Sequence, residues 1–337
     1  MNPADPHHGP PPVTDTDSRS PHVLVVGSIN MDLVMRVQHL PRPGQTVIGQ
    51  DLRESPGGKG ANQAVAVARL GARCSLVGGV GDDAMGERLL DALAASGVET
   101  GHVRRFAECP SGVALIGVED SGQNAITIIP GANGRSRPED VAACESLIRQ
   151  ADVLLLQLEI PLETVEEAVL LARRHGVITV LDPAPAPVSL PQALYQADIL
   201  CPNESEAECL TGIAVHDLAS AQEAARAIRK LGARQIIITL GARGAMVCDE
   251  HDLCTPVPNF RVTSRDTTAA GDALAAALGV ALAEGRPLRE AVRFGCAAGA
   301  LATTRHGAQE SMPTRAEVDQ LVRQEVPSIE GVRRKLL

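Results

Sequence analysis

The chain has 337 residues, with Lys+Arg 31 against Asp+Glu 41 and a formal net charge of −10. That acidic balance speaks against a nucleic-acid partner, which wants a basic face. Aromatics at 1% remove the stacking platforms of single-strand binders and the aromatic belts of membrane proteins, while 44% hydrophobic and 21% charged residues give a globular composition.

Residues 1–20 are rich in prolines and acids and lack an apolar h-region. They read as a disordered N-terminal tail and not as a signal peptide. The pair His7–His8 within it could bind metal, but two histidines in a tail usually carry no function. Residues 21–324 read as a single domain and 325–337 as a C-terminal surface tail. No apolar run approaches the ~20 residues of a bilayer span. The 8 cysteines contain no CxxC pair, so the chain is expected to be cytoplasmic, with reduced thiols.

From Val23 onward short apolar runs alternate with helical stretches. HVLVVG predicts a strand and GANQAVAVARLG a helix closed by Gly71. CSLVGGV and AMGERLLDALAASG repeat the pattern, with Gly97 as the stop. VLLLQL, VITVLD, DILCPN and QIIITLG predict four further strands, with PLETVEEAVLLARRHG and DLASAQEAARAIRKLG as intervening helices. Strands apolar on both faces, alternating with helices, imply an α/β fold with a mostly parallel central sheet flanked by helices. Two stretches break the rhythm. Leu33–Val37 with Thr46–Arg53, and Gly112–Val118 with Ala125–Ile129, read as two hairpins. They predict a small β-sheet lid built from about 33–53 and 111–130, with one face in need of a partner.

Four motifs carry chemistry. SPGGKGANQA (Ser55 to Ala64) has paired glycines that admit close backbone approach, a cation at Lys59 and Asn62 in the first turn of a helix. It is not a P-loop, because no Ser or Thr follows Lys59. In RDTTAAGDALAAALGVALAEG, small residues run into a helix whose first N–H groups make an anion site, with Asp272 inside it. Phosphoryl transfer needs such donors for charge and a base for the incoming hydroxyl. In NESEAE, Asn203 and Glu206 share a helix face; Asn203 is also a good N-cap, and Glu206 could hold magnesium through water. TLGARGA places a G-x-x-G turn at a strand's carboxyl end, where doubly wound sheets bind ligands. GVGDDA fits a dinucleotide pattern, but Asp82 and Asp83 would repel a pyrophosphate, so a nicotinamide site is rejected.

In this order the motifs GSINMD, PRPGQTV, GGKGANQA, LVGGVGDDAMG, SGVALI, PGAN, QLE, DPAPA, PNESEAE, TLGARG, DTTAAGD and RHGAQES resemble the phosphofructokinase-B-type carbohydrate kinase family. The resemblance runs from about Val23 to Leu321. GSINMD with RHGAQES points to the ribokinase branch of that family. The resemblance implies a Rossmann-like ribokinase fold with a β-lid, homodimers formed through the lids, ATP with Mg²⁺, activation by K⁺, and phosphorylation of D-ribose at O5. It implies that Asn30, Asp32, Gly58, Lys59, Asn62 and Glu159 bind the sugar, and that Asp272 binds it and takes the hydroxyl proton. Ala270 and Gly271 would form the anion hole. Asn203, Thr239, Gly241, Gly244, Ala270, Gly271 and Cys296 would line the nucleotide, with Glu206 tuning Mg²⁺ through water. Asp266, Thr268, Ala302, Arg305, Gly307 and Ser311 match a K⁺ loop.

The chain departs from the family at Ala273-Leu274, where Thr-Phe is usual, at Cys296, where a polar or imidazole group is common, and at Asp182, where Asn is common. Two alternatives stand beside a ribose kinase. One is a kinase for 2-deoxyribose, another sugar or a nucleoside, although a nucleoside wants an aromatic slot that this chain hardly offers. The other is a catalytically silent sugar-binding regulator.

Overall fold

The computed structural model describes residues 20–187 and 189–324. Apart from Ser20, the two predicted tails and His7–His8 lie outside the described residues.

In chain order the strands are β1 (His22–Val26), β2 (Asn30–Val37), β3 (Gly49–Gly57), β4 (Arg73–Gly81), β5 (Glu99–Phe106), β6 (Gly112–Glu119), β7 (Asn124–Ile129), β8 (Val153–Leu156), β9 (Ile178–Leu181), β10 (Ile199–Leu200), β11 (Gln235–Thr239), β12 (Ala245–Cys248) and β13 (Cys254–Val257). The α-helices are α1 (Lys59–Arg69), α2 (Ala84–Ala95), α3 (Pro138–Ala142), α4 (Glu145–Ile148), α5 (Leu162–His175), α6 (Glu204–Thr211), α7 (Leu218–Lys230), α8 (Ala270–Ala283), α9 (Leu288–Ala302) and α10 (Arg315–Gln324). One nine-stranded sheet has the order β13-β12-β11-β10-β9-β8-β1-β4-β5, and a four-stranded sheet has the order β3-β2-β6-β7.

Every residue of β1 is buried. Its side chains alternate between the faces of the sheet, as a two-residue period requires. Val23 and Val25 enter the core under α1, α8 and α9, whereas Leu24 and Val26 enter the one under α5 and α7. From β5 through β11 each neighbour pair is parallel, while β12 and β13 run antiparallel at the edge. The strands β5, β12 and β13 were not foreseen. The sequence of β5, ETGHVRRF, is mostly polar, because an edge strand leaves much of its surface to water. The β12–β13 hairpin sets Cys248 opposite Cys254 with Cα atoms 4.1 Å apart, joined as a disulfide. This pair departs from the expectation of reduced thiols, which covered all 8 cysteines.

Both lid hairpins are present as antiparallel pairs, β2 with β3 and β6 with β7. Parallel pairing of β2 with β6 joins them into one sheet. The chain passes from β1 into β2 through Gly27–Ile29, and β3 ends two residues before α1 begins. Lid and central sheet therefore share the segment on which GSINMD and GGKGANQA lie. The predicted Asp82–Asp83 turn is structural: Asp83 caps α2 through Gly86 N–H at 2.7 Å and also accepts from Ser111 N at 2.8 Å and Ser111 Oγ at 2.7 Å. It ties the helix to the root of the lid.

Candidate active site

The N-terminus of α1 is shaped by two glycines. A Cβ on Gly57 would stand 2.1 Å from Asp32 Oδ2, so only glycine leaves room for that carboxyl. Gly58 caps α1 at φ 87, where a Cβ would meet Asn30 N at 2.7 Å. Asn30 and Asp32 are buried at the start of β2. Asn133 Nδ2 donates to Asn30 Oδ1 at 2.7 Å and to Ile29 O at 3.0 Å, and Asn133 Oδ1 accepts from Ile29 N at 2.9 Å. This fixes the Asn30 amide so that its own Nδ2 reaches Glu159 Oε2 at 3.4 Å. Glu159 also accepts from Ser28 Oγ at 2.5 Å and Lys59 N at 3.2 Å. Asn30, Glu159, Gly58 and Lys59 are thus one connected group, with Asp32 beside it. Asn133 and Ser28 belong to it as well, although sequence reasoning quoted their motifs without singling them out.

Asp272 lies in the first turn of α8 and is 5% exposed. Its Oδ2 accepts from Asn62 Nδ2 at 3.0 Å and its Oδ1 from Gln63 Nε2 at 3.2 Å. Each carboxylate oxygen keeps a lone pair for a further donor. Burial raises its pKa; Lys59 and the two amides pull the other way, and the net shift is upward. Burial also works against the charge on Lys59, but Asp182, Asp272, Glu159 and Glu206 outweigh it and hold the ammonium above its ordinary range. Sequence reasoning assigned Asn62 to the sugar; here its Nδ2 is committed to Asp272, while its buried Oδ1 has no partner. Gln63 was missed, since a glutamine inside a helix reads as an ordinary polar position.

Beyond Asp272 opens a cleft of about 210 Å³ whose walls include Lys59, Asp182, Asn203, Glu206, Thr239, Ala270 and Gly271. Asn203 and Glu206 cap α6 reciprocally: Glu206 N donates to Asn203 Oδ1 at 2.9 Å, and Glu206 accepts from Asn203 N and Nδ2, both at 2.8 Å. The capping role therefore holds together with a place on the cleft wall. Asn203 also bridges to Thr239 at the carboxyl end of β11. Gly241 at φ 53 and Gly244 at φ 95 shape the next turn, and a Cβ on Gly244 would lie 2.0 Å from Val257 O. Asp182, at the carboxyl end of β9, is buried; burial drives its carboxyl well above the usual range against the pull of Lys59. It was noted only as a departure, yet it faces the cleft.

Ala269 caps α8 with φ 57. Ala270 N donates to Thr267 O at 3.3 Å, a long bond that an incoming anion would have to displace or share. Gly271 carries no such constraint, and no atom lies within 4 Å of the place its Cβ would take. Ala273 and Leu274 are buried in the α8–α9 core, where a Cβ on Gly295 would meet Leu274 O at 2.9 Å. The departure from Thr-Phe thus lies inside this core. Cys296 is 3% exposed in the same core, outside the cleft wall, and burial pushes its thiol up to about 12.

Asp266 is anchored on both oxygens. Oδ1 accepts from Thr268 N at 2.9 Å and Oγ1 at 2.6 Å, and Oδ2 from Gly307 N at 3.0 Å. Asp266 N and Arg265 N donate to Thr303 O, which sets the segment before α8 beside the loop after α9. Ala302, Arg305, Gly307 and Ser311 lie on that loop or at its helix end, and Arg305 pairs with Glu317 of α10. Arg69 at the end of α1 donates to Gln309 O at 2.7 Å and Met312 O at 2.9 Å, pinning the loop. Among the described residues no group of three or more His, Cys, Asp or Glu side chains is arranged to hold a metal.

The pattern of the pfkB family carbohydrate kinases matches residues 20–315. A ribokinase of Haemophilus influenzae is 43% identical over 295 residues, covering 88% of this chain and 96% of that one. A deoxyribokinase of Salmonella typhi is 34% identical over 293 residues, covering 87% and 95%. Among solved structures, an Arabidopsis thaliana ribokinase complexed with ribose and ATP superposes with a TM-score of 0.84 at 34% identity, covering 90% of this chain and 99% of that one.

Proposed function

This chain belongs to the pfkB family of carbohydrate kinases, and from that membership we propose that it transfers the terminal phosphoryl group of ATP to O5 of D-ribose, giving ribose 5-phosphate. The observation that carries the reading is a buried carboxylate, Asp272, held by two amides between a polar pocket and a cleft that ends at a helix N-terminus. Asn30, Asp32, Gly58, Lys59, Asn62 and Glu159 hold the sugar. Asp272 accepts the proton of the attacking hydroxyl on the lone pair that Asn62 and Gln63 leave open. Its raised pKa brings it closer to working pH, which suits a general base. Gly271 N–H, with Ala270 N–H once released from Thr267, faces the transferring group; Asn203, Thr239, Gly241 and Gly244 flank the nucleotide.

Magnesium supplied with ATP offsets phosphate charge at such a site. Glu206 and Asp182 are oxygen donors on the cleft wall and fit a hydrated magnesium ion, which takes few protein carboxylates. The Asp266 loop offers a carboxylate and backbone carbonyls near Thr268, Ala302, Arg305, Gly307 and Ser311, a donor set that fits K⁺. Cys296 is kept with the nucleotide as the resemblance implies: it is buried, but it lies near Cys201, which lines the cleft. The exposed apolar side chains of β7 support a homodimer through the lids. A cytoplasmic setting accords with a substrate such as ATP.

A second reading, 2-deoxyribose as substrate, is kept by the similarity to a deoxyribokinase. A site that hydrogen-bonds a hydroxyl can reject a sugar lacking it by roughly 10⁴-fold. The test is ADP release from Mg-ATP with D-ribose, 2-deoxyribose, xylose, fructose and adenosine, in K⁺ and in a large organic cation. Preference for ribose, with higher rates in K⁺, is expected. Preference for 2-deoxyribose moves the substrate and keeps the mechanism; no turnover with any of them favours a silent regulator. Asp272→Asn is expected to lose roughly a hundredfold or more in turnover while still binding sugar, and retention above about a tenth would remove Asp272 from the base role.

A further inference from the structure

The amides behind Asp272 carry an inference that rests on its reading as the proton acceptor. A carboxylate only accepts hydrogen bonds. Gln63, 1% exposed on α1, must therefore turn Nε2 toward Asp272 Oδ1, leaving its own Oε1 to face Gln157. Gln157, fully buried just past β8, donates Nε2 to that oxygen at 2.5 Å. The direction of each bond thus follows from the charge on Asp272. The chain ends on Gln157 Oε1, which is buried without a partner. That oxygen occupies the space beside Gly27, where a Cβ would stand 1.9 Å from it. An orphaned buried carbonyl is costly; Gln157 carries one at the far end of the relay, as Asn62 carries one beside Asp272.

We propose that Gln157 and Gln63 form a two-amide relay that positions the Asp272 carboxylate for the incoming hydroxyl. Both are positioning residues, and Gln157 acts only through Gln63. Other groups face Asp272 too: Lys59 from α1, Glu159 beyond β8, Asp182 beyond β9 and Asp32 from β2. Both amides are neutral, so replacing them with methionine leaves that charge set unchanged and removes only the hydrogen bonds.

The experiment uses the full chain with Mg-ATP, D-ribose and K⁺, recording kcat and both KM values from about pH 5 to 9. Gln63→Met is expected to lower kcat roughly tenfold to a hundredfold, since small misplacements of a reacting group cost that much. KM for ribose should change little, and the acid limb of the pH profile should move upward by about one pH unit, because an N–H donor to the ionised form is gone. Gln157→Met should do the same more weakly. Gln157→Glu should be worse than Gln157→Met, because an ionised carboxylate there also only accepts and would turn Gln63 around, setting its oxygen against Asp272. Should Gln63→Met fail to fold, the two Gln157 variants carry the test.

An unchanged acid limb in Gln63→Met, or a loss confined to KM, would overturn the relay. Asp272→Asn is run alongside. If it keeps full turnover, the base reading falls and the relay with it; if it is inactive while Gln63→Met behaves as wild type, the relay alone falls.

Discussion

Asp32 sits 7% exposed, and among the described residues no cation offsets its charge. Burial, and then the carboxylates of Glu159, Asp272 and Glu310, push its carboxyl up to about 7. A folded-state pKa above the unfolded one means that the native protein holds a proton the unfolded chain would release. Stability from this group is complete below about pH 4, is lost as pH climbs toward 7, and is flat above. Asp32→Asn is therefore expected to stabilise the ligand-free protein by about 1–3 kcal/mol at pH 8 and to do little at pH 4, read by thermal unfolding. Equal shifts at both pH values would remove the buried-charge explanation. The same change should weaken ribose roughly tenfold to a hundredfold, the worth of a hydrogen bond to a charged group. In the wild type, ribose affinity should rise through pH 7 as the acceptor form fills. Asp32 and Asn30 were legible in the sequence through the family resemblance, whereas Gln63 and Asn133 were not. Nothing local to an amide says which buried group it will meet.

At the level of elements, α1 begins where two glycines let the strand end, the lid root and the helix converge. Gly58 and Gly71 share a left-handed backbone, at φ 87 and φ 85, but differ in surroundings. A Cβ on Gly71 would meet no atom within 4 Å, whereas one on Gly58 would press on Asn30 N at 2.7 Å. Gly71→Ala is expected to cost about 1–2 kcal/mol, the backbone penalty alone. Gly58→Ala should cost clearly more and raise KM for ribose, because Asn30 must move. Equal losses with unchanged KM would argue against the close approach. Small residues work similarly between α8 and α9. A Cβ on Gly299 would stand 3.0 Å from Ala270 O, and Gly279 would meet Leu155 Cδ2 at 2.8 Å. This packing seats the first turn of α8, and with it Asp272, against the central sheet.

Across the whole molecule, the lid is the least self-sufficient part. All six residues of β7 are exposed, and Ile126 at 56%, Ile129 at 47% and Leu52 at 60% present apolar side chains to water. Four strands with so much uncovered apolar surface suit association with a second copy. The double variant Ile126→Lys with Ile128→Lys is expected to shift the protein from dimer to monomer in sedimentation velocity and to raise KM for ribose, with the unfolding midpoint of the central sheet retained. A wild type that sediments as a monomer at micromolar concentration would dismiss the lid interface.

The sequence by itself determined the alternation of strands and helices, the stops at Gly71 and Gly97, the two lid hairpins and the four motif-bearing loops. These rest on periodicity and turn chemistry, which act between residues close in the chain. Edge strands were lost because β5 is polar and β12–β13 are short, so neither carries a strong period. The tertiary structure alone decided that β2 pairs in parallel with β6, that Cys248 meets Cys254, and that Cys296 stays in the core. It also decided that Gln63 reaches Asp272 across a separation of 209 residues. A buried carboxylate takes whichever donors the packing of α1, β8 and α8 brings to it, and that packing is a property of the assembled sheet rather than of any one segment.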